Sequence, residues 1–286
     1  MSPDGETVVD AHVHVPRLAT LKPAWLEWAE QFSGPHPWRS AYDDAGNPVP
    51  ELLDALLEAE GVDRALLFCE YSPRATGIQP IEDLLPIVEY NPTRFRLVAN
   101  VNPHLHHPLA AEVERQLDLG AVALKLHPVH GVFSPRDREL YPAIAVCAER
   151  GVPVITHSGT SSFPGSRASF GDPALFLDVI EDFPELHFVF AHGGRGWWYD
   201  TAAFLALAKP NVWLDLAGLP PRKLPDYYAR FDFTKLATKF IFGTDWPGVP
   251  AASRNIAALR ELGLPAAVLR DVLSGNAAKI FPGLGV

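Results

Sequence analysis

Five side chains of metal-ligand type stand at the C-terminal ends of four apolar runs. His12 and His14 close Val8-Val9-Asp10-Ala11-His12-Val13-His14, His157 follows Val152 to Thr156, His192 follows His187 to Ala191, and Asp245 follows Phe240 to Thr244. Side chains on a strand repeat every second residue, so His12 and His14 project to one face, and imidazoles paired in this way chelate zinc-like ions. A lone histidine on a strand is usually a hydrogen-bonded structural residue. Five ligand-type groups at the same end of several runs are hard to explain as packing. Three histidines and a carboxylate, His12, His14, His157 and Asp245, make a mononuclear divalent site with one position left for water. Zinc is the default ion, with manganese and iron as alternatives for a His-rich site with one carboxylate.

These groups meet only if the runs lie side by side. Short β-branched runs alternate with longer segments of helical period. The expected strands are Thr7 to Val15, Arg64 to Tyr71, Arg94 to Val101, Ala121 to His127, Pro153 to His157, His187 to His192, Val212 to Leu216 and Lys239 to Thr244. Between them fall helical segments such as Pro50 to Glu60, Pro108 to Leu119 and Arg138 to Arg150, several opening on proline and closing on glycine. The chain ends on the helical pair Ser253 to Leu262 and Ala266 to Phe281. This pattern predicts one α/β domain over residues 1–286, a (β/α)8 TIM barrel whose active-site rim is the C-terminal end of the strands. The spacing breaks once, after the first strand. Residues 16–49 hold Trp25, Trp28, Phe32, Trp38 and Tyr42, and a long aromatic loop in a compact domain reads either as a lid over the site or as an excursion packed onto the barrel.

The ordered pieces Asp10-Ala-His12-Val-His14, Lys125-Leu-His127-Pro128, Thr156-His157-Ser-Gly, Ala191-His192-Gly-Gly, Phe242-Gly-Thr-Asp245-Trp-Pro and Gly275-Asn276-Ala-Ala-Lys-Ile resemble the amidohydrolase superfamily. They are most similar to its amidohydrolase-related branch, which holds aminocarboxymuconate semialdehyde decarboxylase and other metal-dependent barrel enzymes. The resemblance spans nearly the whole chain. It implies His12, His14, His157 and Asp245 as ligands of one metal, and His192 as a nearby acid or base, with Asp245 sharing the proton handling. It also makes a homodimer plausible. An imidazole with an ordinary pKa near ~6.5 suits the proposed role of His192. Asp10 reads equally as orienting the ligand strand or filling the barrel. Other branches carboxylate the lysine of the fourth strand to bridge two metals; for Lys125 the reading here is a free lysine and a single ion.

The substrate wall is less legible. Lys125 and His127 share a strand face, with His130 in the loop beyond. After His192 come Gly193, Gly194, Arg195, Gly196, Trp197 and Trp198, where Arg195 can hold a carboxylate and the glycines allow close backbone approach. With Trp28 from the aromatic segment, Lys125, His127, Arg195 and Trp197 form the expected substrate-binding set for a small acidic or aromatic compound. Trp197 and Trp198 read alternatively as helix packing. Glu70, Asn100, Asn102 and Asp215 stand at the right rim without a motif.

Composition narrows the field further. A formal charge of −10 argues against nucleic acid as a partner, and no apolar run approaches the ~20 residues of a membrane span. Two cysteines and an opening Met-Ser-Pro-Asp-Gly-Glu without a basic and apolar leader predict a reduced, cytoplasmic protein. The leading expectation is a metal-dependent hydrolase of an amide, ester or lactone bond in a small organic acid. A non-oxidative decarboxylase on the same residues is the alternative, and a non-catalytic metal-binding scaffold is a third reading.

Overall fold

The computed structural model describes residues 6–32 and 37–284. Eight parallel strands follow one another around a single sheet in chain order: β1 (Val9–Val13), β2 (Arg64–Phe68), β3 (Phe95–Val101), β4 (Ala121–Leu126), β5 (Val154–Gly159), β6 (Phe188–Arg195), β7 (Val212–Asp215) and β8 (Phe240–Ile241). The residues after β8 close the ring onto β1: Ala11 N–H donates to Phe242 O at 3.0 Å, Asp245 N–H to His12 O at 3.0 Å and His14 N–H to Trp246 O at 2.9 Å. Closure therefore places the segment carrying Asp245 directly beside the His-x-His segment.

Strand alternation sorts the buried apolar residues into two clusters. Leu66, Phe68, Val98, Ile155, Val189 and Ile241 belong to the barrel interior, while their neighbours Leu67, Leu97, Val154, Phe188, Phe190 and Phe240 pack outward beneath the helices. Each such side chain contributes roughly 1.5–3 kcal/mol on burial, so a register slip of one residue would exchange two well-packed layers. The interior parity continues toward the C-terminal ends. Two residues beyond Ile155 comes His157, two beyond Trp213 comes Asp215, and two beyond Ala123 comes Lys125. Apolar filling at depth and polar chemistry at the rim are one alternation read upward.

The helices seal the outer layer. Leu109–Asp118 buries Leu109, Val113, Gln116 and Leu117, a single face at helical spacing. From that face Gln116 Oε1 accepts the Asn100 N–H at 2.9 Å and its Nε2 donates to Asn100 O at 2.9 Å, satisfying the backbone where β3 leaves the ladder. Tyr141–Arg150 ends on Gly151 in the left-handed conformation, as its sequence predicts.

Three regions differ from the sequence reading. The second strand stops at Phe68, and Glu70–Ser72 pairs with Gly77–Gln79 as a small antiparallel hairpin. The last helical segment is broken into Ala266–Arg270, a π turn over Asp271–Gly275, and Asn276–Ile280. Residues 16–49 are not one long loop: they contain helix Pro23–Ala29 and 3-10 turns at Leu18–Thr20 and Trp38–Ala41. Trp25, Trp38 and Tyr42 pack edge-on as a buried aromatic core, with Trp38 Nε1 donating to Ala29 O at 3.2 Å. That half of the segment is an excursion held on the barrel, while Trp28 turns toward the rim. Among the described residues no helix is long and apolar enough to cross a membrane.

Candidate active site

The rim encloses a cavity of about 250 Å³ lined by His12, His14, His127, His157, His192 and Asp245, with Arg195, Glu70 and Trp28 in its walls. At its floor His12 donates Nδ1–H to Asp215 Oδ2 at 2.5 Å. That bond sets the tautomer: the Nε2 lone pair is left facing inward, and Nε2 is buried with no protein partner. His14 Nε2 lies 3.3 Å from Asp245 Oδ1, and His12 Nε2 lies 3.6 Å from the same oxygen. The ligating atoms of His12, His14 and Asp245 all fall within 4.8 Å of one another. Two imidazole lone pairs and a carboxylate oxygen converging on one buried point, one of them otherwise unpaired, fit a divalent cation.

Asp10 and Asp215 hold this set in place. Asp10 accepts from His12 N, Thr244 N and Thr244 Oγ1 at 3.1, 2.9 and 2.6 Å, tying the His-x-His segment to the turn before Asp245. Asp215 accepts a second bond from Ala217 N at 2.8 Å. Burial pushes both carboxyls up to about 7. The Asp10 bonds fix the backbone of the His-x-His segment against Thr244.

Asp245 uses its two oxygens differently. Oδ1 faces His12 and His14; Oδ2 lies 3.9 Å from His192 Nδ1 and 3.9 Å from Arg195 Nη1. Burial works to raise this carboxyl, but the neighbouring His192 and His14 rings override it and hold it well below the usual carboxylate range. His192 donates Nδ1–H to Ala217 O at 2.8 Å, which leaves its Nε2 as an acceptor. Burial, reinforced by Arg195, lowers the pKa of this imidazole well below its ordinary value.

Backbone shape aims both groups. His192 and Asp245 take left-handed conformations, φ 67° and 66°, at a cost of about 1–2 kcal/mol for a residue with a Cβ. The β5–β6 register shifts between His157/Ala191 and Gly159/Arg195, so β6 bulges where it carries His192. Gly218 completes the approach. A Cβ there would come within 2.6 Å of Arg195 Nη1 and 3.0 Å of Asp245 Oδ2, so only glycine leaves the carboxylate, guanidinium and imidazole this close.

The opposite side of the rim is a stack of imidazoles. His157 stands outside the His12–His14–Asp245 group; its ring stacks on His127 at 4.4 Å and tilts against His192 at 4.6 Å. Both its nitrogens are buried without a protein partner. Burial lowers the pKa of His157 and His127 well below the ordinary value and brings His130 to about 3. His127, His130 and Glu70 form a second convergent group, also within 4.8 Å.

Lys125 lies beneath this wall, 2% exposed, with Nζ 4.9 Å from the Phe68 ring centre and no hydrogen-bond partner. It does not line the cavity. Trp197 is 73% exposed, packs on Trp198 at 5.3 Å, and also lies outside the cavity. Of the expected substrate wall, His127, Arg195 and Trp28 reach the cavity. Glu70, His130 and Asp215 are the participants that spacing left without a role. The hairpin turns Glu70 inward, and Asp215 becomes visible only through its bond to His12. Cys69 is buried, its thiol pushed well up by burial, and Cys147 is also buried.

The sequence profile of the amidohydrolase family matches residues 9–283, and the chain belongs to that family. The chain is 26% identical over 243 residues to a 2-keto-4-carboxy-3-hexenedioate hydratase of Sphingobium sp., across 70% of this chain and 69% of the relative. An uncharacterised TIM-barrel protein of Bordetella bronchiseptica superposes with a TM-score of 0.76 at 23% identity, covering 96% of this chain and 98% of its own. A 5-carboxyvanillate decarboxylase of Novosphingobium aromaticivorans, complexed with manganese and a nitrobenzoic acid ligand, superposes with a TM-score of 0.69 at 14% identity, over 98% and 97% of the two chains.

Proposed function

We propose that this amidohydrolase-family enzyme activates water against a small carboxylate-bearing organic acid, with hydrolysis of an ester, lactone or amide bond as the leading form. The observation that carries the reading is the divided carboxylate of Asp245, one oxygen turned to the ligand histidines and the other to His192 and Arg195. His12, His14 and Asp245 would hold a divalent ion, with His157 the fourth ligand expected from the sequence; zinc is the first choice and manganese the second. When bound, the ion supplies Lewis acidity, polarising a carbonyl and easing deprotonation of water.

The chain's own residues do the rest. Asp245 Oδ2 takes the proton of the attacking water and returns it to the leaving group, while the free Nε2 of His192 offers a second hydrogen-bond acceptor for that water. Asp215 keeps the His12 lone pair directed inward. Arg195 holds the substrate carboxylate: its bond to Thr160 O is long, 3.4 Å, and its Asp245 contact is 3.9 Å, so most of its five donors are uncommitted. Trp28 covers the cavity from the side of residues 16–49.

The hydratase relative favours a second form of the same chemistry, in which the water adds across an activated carbon–carbon double bond. Both forms incorporate solvent oxygen. The test is incubation of metal-loaded protein with lactones, esters and unsaturated keto acids bearing carboxylates, in ¹⁸O-labelled water, with products read by mass spectrometry. Label in the product is the expected result. Release of carbon dioxide without label would overturn the reading in favour of decarboxylation, and inactivity across the panel would favour a binding scaffold. The two buried thiols fit a reducing compartment, and the cytoplasm is proposed on that ground.

A further inference from the structure

A second cavity of about 520 Å³ adjoins the first, and Trp28, Arg195 and Asp245 line both. Its remaining wall is predominantly apolar, with Phe32, Leu219, Pro220 and Val249 at the side and Ala257 and Ala258 from helix Ala252–Arg260 at the back. Two glycines mark the partition. Gly218 lines the second cavity, and a Cβ on it would enter the space between Arg195, Asp245 and His192; Gly248 also lines it, and a Cβ there would strike the Trp28 ring at 2.2 Å. The boundary therefore consists of the Trp28 indole and the Arg195 and Asp245 side chains, with side-chain-free backbone at Gly218 and Gly248 beside them. Cationic groups stand at the same wall, with Arg195 at the partition and Arg222 and Arg254 beyond it.

We infer that the second cavity is a subsite for the apolar, preferably flat, carbon skeleton of a ligand whose carboxylate is held by Arg195, and that Trp28 is the shared wall setting how far the ligand extends. The inference rests on the reading of Arg195 as the carboxylate anchor. A guanidinium offering donors to both spaces fixes the anion at the boundary, so the remainder of the ligand extends either toward the ligand histidines or into the annexe. An apolar tail in the annexe leaves water against largely hydrophobic walls, and an indole and a phenyl ring are there to meet an aromatic face.

The test uses zinc-loaded protein and binding rather than turnover. Affinities of acetate, butyrate, hexanoate and 4-phenylbutyrate are measured by calorimetry, with tryptophan fluorescence as a second readout. The expected result is tightening along the series, with 4-phenylbutyrate binding at least about tenfold more tightly than acetate. Ala257→Phe and Val249→Phe fill the annexe from two directions, and each is expected to abolish the advantage of the longer acids while leaving acetate affinity unchanged. Arg195→Gln is expected to weaken all four acids together. Affinity independent of tail length, or a length dependence that survives both filling variants, would overturn the subsite. If the length dependence persists in Arg195→Gln at undiminished affinity, the anchor assignment fails while the apolar annexe stands. Because binding alone is read, neither result depends on whether the enzyme hydrolyses, hydrates or decarboxylates.

Discussion

Two sides of one rim handle their polar groups in opposite ways. Where β7, β8 and β1 meet, protons are assigned: Asp215 fixes the His12 tautomer, Asp10 ties the strand to Thr244, and Ala217 O holds the His192 Nδ1–H. Across the cavity, on β4, β5 and the loop beyond β4, Lys125 Nζ, both nitrogens of His157 and Nδ1 of His130 are buried with no protein partner. A buried polar group left unpaired costs about 1–3 kcal/mol. One side therefore has its geometry set before any ligand arrives. The other carries polar atoms whose partners, under the proposed function, are the ion and the substrate. Most of the unspent hydrogen-bonding capacity lies on the second side, although His12 Nε2 on the first is also buried without a protein partner.

The comparison breaks most decisively at Asp245. Asp245→Asn keeps the shape but removes the charge and the basic oxygen, and turnover is expected to fall by about 10³-fold, with less metal retained. Steady-state kinetics with elemental analysis would show both; full metal content with unchanged turnover would refute the assigned role. Asp215→Asn leaves every cavity group in place and alters the acceptor behind His12, while its Oδ1 can still accept from Ala217 N. Metal affinity should weaken by about 10–100-fold, measured by competition with a chelator. An unchanged affinity would mean that the prepared side does not owe its geometry to that bond.

The unpaired side is tested through stability. Burial pulls Lys125 down to about 8, below the ~10.4 of an unfolded chain. Between those values the unfolded chain binds a proton that the folded chain has released, so this group's contribution makes stability rise with pH across that window. Lys125→Met should therefore exceed the wild type in stability below pH ~8, by about 3 kcal/mol, and lose the advantage by pH ~10.5. Urea titrations of both proteins at several pH values would show the difference curve; a constant offset would mean the ammonium carries no such penalty. The smallest effect belongs to Trp197→Ala. Exposed at 73% and away from the cavity, this residue should change stability by no more than about 0.5 kcal/mol and leave kcat/KM unaltered. A fall in kcat/KM would restore Trp197 to the substrate wall.

Much of this site is written in local pattern, and the rest follows from closure. The eight strand positions were legible to within a few residues, except that the last extends only over Phe240–Ile241. They were legible because buried parallel strands are short apolar runs bounded by glycine and proline. His12, His14 and Asp245 could be grouped because their residue types recur at one end of those runs. Trp197 stands outside the first cavity, a position the sequence leaves open because a residue two positions past a strand end can turn either way. Glu70 depended on a hairpin too short to announce itself, and Asp215 on a partner 203 positions away.

The sequence by itself determined the βα repeat, the inward and outward parity of each strand, and the side-chain types that stand at the rim, since these follow from period-two alternation and residue identity. Which imidazoles converge on the Asp245 carboxylate, which nitrogen of His12 is free, and that a largely apolar second cavity adjoins the first were decided only by tertiary structure. Those outcomes depend on ring closure between β8 and β1, a bulge in β6, and backbone at Gly218 and Gly248 that leaves room where any side chain would fill it. Differences of one or two ångströms are settled by contacts between distant segments, and no local period encodes them.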